Sequence, residues 1–254
     1  MTTLITGASS GIGEALALAS ARRGERLFLS GRNEDRLAKV AAACREAGAA
    51  AVGTRALDIT DAKAVEAWIT ESNGASPLDR VFANAGIATG EETNVNARRT
   101  FETNVMGTVN TVLPALAAFR KNGAGQLILT ASIAGYGPLK SCPSYSATKS
   151  CIKTWGLALR GALKKENIKV SVIAPGFIRS RLTAKNTCPM PFFMEADKAA
   201  KIILSRADRN IGLIAFPWPM RFATWLISIL PASFNEFINR FIPEKVSAGS
   251  PKTL

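Results

Sequence analysis

The sequence predicts an α/β protein: seven parallel strands in a doubly wound sheet, helices on both faces, and a C-terminal helical extension. Short apolar runs alternate with longer helical patterns, the order that βαβ units impose and that buries a parallel sheet on both sides. Seven such runs occur, and no repeat, low-complexity tract or Gly/Ser linker divides the chain. A glycine-rich turn joins the first run to the first helix, where doubly wound sheets hold their ligands. The 254 residues, 47% of them hydrophobic, suffice for one domain over 1–254 with a substantial core.

In chain order, strands are expected at Thr2–Thr6, Arg26–Ser30, Ala51–Ala56, Arg80–Ala83, Gln126–Ala131, Lys169–Ala174 and Ile211–Ile214. Each is a short apolar run of strand length. Amphipathic or alanine-rich stretches between them predict helices at Ile12–Arg23, Glu34–Ala47, Ala62–Ser72, Phe101–Arg120 and Cys151–Glu166. A tail, residues 215–254, follows the last strand. Within it, Pro219 and Pro231 bracket an 11-residue apolar run. As a helix that run is about 16 Å long, roughly half a hydrocarbon core, so it cannot cross a bilayer. Phe222, Trp225, Leu226, Ile229 and Leu230 share one helical face, and Phe234, Phe237, Ile238, Phe241 and Ile242 repeat that spacing. Two short amphipathic helices over 216–242 are expected to pack on the protein's own body, with a cover over the substrate cleft as one way to do so. A subunit interface and a peripheral contact with a membrane surface are the alternatives.

The chain has no histidine, which excludes Ser-His-Asp and Cys-His nucleophilic sites and His-ligated zinc; no metal site is expected. Proton transfer must fall to Tyr, Lys, Asp, Glu or Cys. The net charge is +13, and it is uneven: residues 1–139 carry +1 and residues 140–254 carry +12. Such a surface suits an anionic membrane, an acidic substrate or an anionic cofactor. No nucleic-acid partner is expected, because the basic residues are scattered without an aromatic-interleaved patch. Cys44, Cys142, Cys151 and Cys188 form no CxxC pair, so reduced thiols are expected. A strand that begins at Thr2 leaves no room for a leader, and a cytoplasmic location is expected, with membrane association through the tail as the variant of it.

Three local patterns carry chemistry. Thr6-Gly7-Ala8-Ser9-Ser10-Gly11-Ile12-Gly13 is a GxxxGxG turn between strand and helix. Its glycines permit a sharp turn and close approach, and the helix N-terminus offers free N–H groups to a pyrophosphate. Gly31 and Arg32 end the second strand where a carboxylate would bind a ribose hydroxyl, and no carboxylate is present. A guanidinium there suits a 2′-phosphate, so NADP(H) is expected over NAD(H). Ser9 and Asn33 are further candidates for reading that phosphate. Tyr145 and Lys149, at i and i+4, share one face of the long helix that Ser144 opens. A phenol with a solution pKa of about 10 beside an ammonium is an acid/base pair that needs no imidazole.

TGASSGIG at 6–13, NAG at 84–86, Asn104, Ser132 and Tyr145-xxx-Lys149 together resemble the short-chain dehydrogenase/reductase family, in order and spacing across residues 2–214. With Arg32, the resemblance is to an NADP-preferring member. It implies a Rossmann-like fold, hydride transfer between a nicotinamide and a carbonyl or secondary alcohol, and roles for individual residues. Tyr145 would exchange a proton with the substrate oxygen, Lys149 would lower the Tyr145 pKa and bind the nicotinamide ribose, and Ser132 would hydrogen-bond the substrate. Asn104 is similar to the family's asparagine that holds a water in a relay to Lys149. Gly7, Ser9, Ser10, Gly11, Ile12 and Gly13 would cradle the phosphates. Asp58 and Ile59 would meet the adenine, and Asn84, Ala85 and Gly86 would line the cofactor. Pro175, Gly176, Ile178 and Ser180 would stand beside the nicotinamide.

The resemblance also implies a homodimer or homotetramer, associated through the helices after strands four and five. The segment Gly86–Asn104 is shorter than usual for the family, and the tail beyond residue 214 is longer. The substrate loop Arg179–Met194 is basic at Arg179, Arg181 and Lys185 and apolar at Pro191, Phe192, Phe193 and Met194. An apolar small-molecule substrate is expected. The competing reading is a catalytically silent NADP-binding or membrane-peripheral scaffold of the same fold.

Overall fold

The structure is a computed structural model that describes residues 1–89, 91–185, 190–231, 233 and 234. All seven expected strands form: β1 Thr2–Thr6, β2 Arg26–Gly31, β3 Ala51–Ala56, β4 Arg80–Ala83, β5 Gly125–Thr130, β6 Ile168–Pro175 and β7 Leu213–Phe216. They pair in parallel in the order β3-β2-β1-β4-β5-β6-β7. The last strand sits two residues further along than the apolar pattern placed it.

The helices are α1 Gly11–Ala21, α2 Glu34–Glu46, α3 Ala62–Ala75, α4 Asn94–Phe101, α5 Gly107–Asn122, α6 Pro143–Ala162, α7 Ala196–Asp208 and α8 Trp218–Ser228. Neighbouring residues of one strand feed opposite layers because the pleat alternates. Leu4, Val81, Leu127 and Val172 face the layer under α3, α5 and α6, with Trp68, Phe119 and Ile152. Ile5, Phe82, Ile128 and Ile173 face the layer under α1, α2 and α7, with Leu16, Val40 and Ile203. β1 and β4 are wholly buried, as central strands of a doubly covered sheet must be. The chain winds outward from β1 to β3, returns to β4 beside β1, and winds the other way. A cleft opens at that switch point, outside the C-terminal ends of β1 and β4.

Three helical segments differ from the pattern-based expectation. The single helix expected over Phe101–Arg120 is α4, then a π turn at Glu102–Met106, then α5. Thr93 starts α4 by accepting a hydrogen bond from the Asn96 amide at 3.2 Å. The helix expected over Cys151–Glu166 is α6, which begins earlier at Pro143 and ends at Ala162 before a 3-10 turn at Lys164–Glu166. α7 is an additional helix, with Ala199, Ala200, Ile203, Leu204 and Ala207 buried.

The first tail helix forms as α8, but its predicted apolar face does not pack on the body. Phe222, Trp225, Leu226 and Ile229 are exposed, and no residue of the helix is buried. Met220, beside Gly176, and Ile227, beside Gly137, are on the side of the helix turned to the body. The second tail helix, with Phe237, Ile238, Phe241 and Ile242, lies outside the described residues, as does Cys188.

Candidate active site

The turn after β1 is built around glycine for geometric reasons. Gly7 and Gly11 have φ of 68° and 61°, in the left-handed region that side chains disfavour. A β-carbon on Gly13 would lie 2.3 Å from the Gly7 carbonyl oxygen and 2.6 Å from Asn84 Nδ2. Ser10 precedes α1 without capping it through its side chain, so the first amides of that helix are free for an anionic ligand. Asn84 locks the floor: its Nδ2 donates to the Thr6 carbonyl at 3.0 Å, and its Oδ1 accepts from Thr130 Oγ1 at 3.3 Å.

At one end of the cleft stand Gly31, Arg32, Asp58 and Ile59. Arg32 Nη1 is 3.6 Å from Asp58 Oδ2, and Asp58 Oδ1 accepts from the Thr60 amide and hydroxyl at 3.0 Å each. Arg36, in the first turn of α2, joins them in the wall. Its Nε is buried with no hydrogen-bond partner among the described residues. A buried donor left unpaired is costly, so this atom marks a place shaped for an acceptor. Arg36 was not among the predicted contacts, although it follows Arg32 by four positions. Asn33 was among them and is not part of the wall: its Oδ1 turns back to accept from the Arg36 amide at 2.9 Å, capping α2. Ser9 does line the cleft. A β-carbon on Gly31 would approach Ser9 Oγ to 3.0 Å, so this position stays small.

The other end holds Ser132, Tyr145 and Lys149, with Ala85, Gly86, Pro175, Gly176, Ile178 and Ser180 around them. Ser132 follows β5 and caps a 3-10 turn, its Oγ accepting from the Ala134 amide at 3.1 Å. The Tyr145 phenol stands near it, and the Ser132 hydroxyl favours the phenolate. Lys149 is buried, and its Nζ donates to the Thr130 carbonyl at 2.8 Å, 5.8 Å from the centre of the Tyr145 ring.

The resemblance led us to expect Lys149 to draw the Tyr145 pKa down. Burial dominates here instead. It pushes the phenol up to about 12, against the downward pull of the Ser132 hydrogen bond, and pushes the Lys149 ammonium down to about 8. At neutral pH the phenol is therefore protonated and the ammonium still mostly charged.

Asn104 does not itself line the cleft. It is fully buried in the π turn, and its neighbour Thr103 lines the cleft instead. The Asn104 amide grips the loop after β4: Oδ1 accepts from the Ile87 amide at 2.8 Å, and Nδ2 donates to the Ile87 carbonyl at 2.9 Å and to Thr148 Oγ1 at 3.2 Å. Its carbonyl accepts from Thr108 Oγ1 at 2.6 Å. Asn104 Oδ1 and Lys149 Nζ both flank Gly86, 3.1 and 3.3 Å from where a β-carbon there would stand.

One contact to the Tyr145 helix had no sequence signal. Cys142, which precedes α6, makes no side-chain cap. The Glu92 carboxylate, from the loop before α4, caps the helix instead. It accepts from the Ser144 amide at 3.1 and 3.2 Å and from the Ser144 hydroxyl. An anion at a helix N-terminus is stabilising, and this one fixes the residue next to Tyr145. Glu92→Ala should lower kcat about tenfold with the cofactor KM little changed, because the phenol loses its aim rather than its chemistry. Glu92→Gln, which keeps an acceptor, should recover most of that rate. A purely structural role would show as a lower Tm with kcat unchanged in the folded variant.

The family model for short chain dehydrogenases matches residues 1–189. A protein of Myxococcus xanthus described as an uncharacterized oxidoreductase is 38% identical over 242 residues, covering 91% of this chain and 92% of its own. A short-chain dehydrogenase from Sphingobium yanoikuyae, solved in complex with NADPH, superposes with a TM-score of 0.79 at 27% identity, covering 97% of this chain and 98% of that one. A short chain dehydrogenase from Mycobacterium paratuberculosis bound to NAD shares the fold, with a TM-score of 0.75 at 22% identity over 84% of this chain and 94% of that one. The glycine turn, the switch-point cleft and the Ser132–Tyr145–Lys149 cluster thus sit in a chain that belongs to the short-chain dehydrogenase family of oxidoreductases.

Proposed function

We propose that the protein uses NADP(H) to interconvert a carbonyl and a secondary alcohol on an apolar small molecule, with Tyr145, Lys149 and Ser132 handling the substrate oxygen and its proton. The observation that carries this reading is the gathering of Ser132, Tyr145 and the buried Lys149 ammonium at one end of the glycine-walled cleft. The cofactor's place is supported by the crowded glycines, the uncapped α1 amides and the orphaned Arg36 Nε. When bound, the nicotinamide supplies or accepts the hydride.

The residues of the chain do the rest. In reduction, Ser132 donates a hydrogen bond to the carbonyl oxygen, and Tyr145 gives that oxygen its proton. The Lys149 ammonium stabilises the phenolate left behind, and Thr130 holds the ammonium in place. Asn104 acts as a positioning residue for the Gly86–Ile87 wall, and its Oδ1 and the Lys149 Nζ both flank Gly86. Arg32 and Arg36 present two guanidiniums where a 2′-phosphate would lie, the basis for NADP(H) over NAD(H). Ile87 and Leu182 make the substrate side of the wall apolar.

Exposed Val95, Phe101, Met106, Leu113 and Leu157 on α4, the π turn, α5 and α6 support a homo-oligomer through these helices. Thiols at Cys44 and Cys151 suit a reducing cytoplasm. No helix among the described residues is long and apolar enough to cross a membrane, and the exposed face of α8 supports peripheral contact.

NADPH oxidation against a panel of apolar ketones and aldehydes, with a parallel binding titration, tests the reading. Turnover is expected; NADPH binding without turnover of any carbonyl would leave a binding protein of the same fold. The pH profile is a second check. The ammonium must be charged to support the phenolate, so kcat/KM for NADPH in the reductive direction should be level below pH about 8 and fall above it. A profile level to well above pH 9 would remove Lys149 from the role.

A further inference from the structure

The α8 helix carries its apolar stripe on the wrong side for a core. Trp218, Phe222, Trp225 and Ile229 follow one another at i, i+4, i+7 and i+11, and they are 76%, 56%, 47% and 59% exposed. Met220 and Ile227, which touch the body, stand about half a helical turn away from that stripe. The exposed side chains are aromatic and aliphatic, and two of them are tryptophans. Tryptophan is the side chain whose apolar body and N–H suit the boundary between lipid and water.

The charge along this stretch of the chain has one sign. No acidic residue occurs from 209 to 235. Arg221 lies between the aromatics and lines a groove with Tyr136, Leu213, Trp218, Phe222 and Trp225. The Lys153 ammonium stacks on the Tyr136 ring at 4.1 Å. Neither Arg221 nor Lys153 is ion-paired among the described residues. Both belong to residues 140–254, which carry +12 of the net charge of +13.

We infer that α8 is a docking helix for an anionic bilayer surface. It lies flat, with Trp218, Phe222, Trp225 and Ile229 among the head groups and Arg221 on their phosphates. This surface is independent of the redox chemistry, and its test reads binding without turnover. α8 packs against the 3-10 turn that Ser132 begins, so a docked molecule holds the Ser132 side of its cleft near the lipid.

The experiment is flotation of the full-length protein with vesicles of phosphatidylcholine alone and with vesicles that also contain phosphatidylglycerol. The protein should float with the anionic vesicles, bind neutral ones more weakly, and be partly released by salt. Phe222→Glu with Trp225→Glu should weaken binding to anionic vesicles about tenfold or more, with an unchanged circular dichroism spectrum. Arg221→Glu, which leaves the aromatics in place, should weaken the same binding and reduce its salt sensitivity.

Three results would overturn the inference. One is absence of binding to either vesicle. Another is binding by the double variant at the wild-type level. The third is light scattering in which the double variant breaks an oligomer while the wild-type protein ignores vesicles, which assigns the face to a second copy of the chain.

Discussion

Replacing Tyr145 by phenylalanine should leave NADPH affinity near the wild-type value and lower kcat by about three orders of magnitude, within the range that a positioned proton donor contributes. The change removes one oxygen and keeps the ring, so the packing around Lys149, 5.8 Å from the ring centre, is preserved. What is lost is the hydroxyl near Ser132 that carries the proton the proposed reaction transfers. With the phenol pushed up to about 12, Tyr145 keeps its proton at neutral pH and has one to give. The measurement is steady-state NADPH oxidation beside a fluorescence titration of NADPH binding. If the variant keeps more than about a tenth of the wild-type kcat, Tyr145 is not the donor.

Removing both Arg32 and Arg36 by alanine substitution should weaken NADPH binding about a hundredfold and leave NADH binding close to unchanged. Hydrogen bonds to charged groups contribute about 1.5–3 kcal/mol each, so two of them correspond to two decades or more in affinity. Arg36 should give the larger single effect, because its Nε is already buried and lacks an acceptor, whereas Arg32 is half exposed and faces Asp58. Removing Arg32 also leaves the Asp58 carboxylate without its neighbouring cation. Each single variant should show a shallower salt dependence of NADPH affinity than the wild type. An NADPH-to-NADH affinity ratio that survives the double substitution means the 2′-phosphate is not held at this end of the cleft. Gly31→Asp is the poorer test of the same point, since its β-carbon would press on Ser9 Oγ at 3.0 Å.

The sheet was legible because each strand is a short run bounded by polar or glycine-containing stretches, and period and length are local properties. The glycine turn and the Tyr145–Lys149 pair were legible for a related reason: their geometry is set within a few residues. α4 was not, because Asn94–Phe101 is polar around most of its circumference and offers no apolar period. Its boundary depends on a cap at Thr93 and on the π turn that follows. Glu92 was invisible for a different reason. Its partner Ser144 is 52 residues away, and only the folded chain brings them together. α8 shows the third kind of limit. Periodicity identified which side chains share a face, and it carried no information on whether that face meets protein or solvent. Asn104 was recognised as a site residue, yet its side chain grips backbone and Thr148 rather than facing the cleft, a distinction of direction that sequence position does not contain.

The π turn at Glu102–Met106 carries a consequence for the length of the chain. A π turn holds one residue more than the α turn it replaces, and the helices on either side keep their phase across it. Loss of a single residue between 102 and 106 would therefore let α4 and α5 fuse into one regular helix, with both ends still seated on their neighbours. The backbone would gain its ordinary hydrogen bonds, while Asn104 would lose the widened turn that aims its amide at Ile87. The extra residue is thus tolerable to remove for the fold and intolerable for the cleft, so a shortened relative at this point would keep the architecture while its Gly86–Ile87 wall went unsupported.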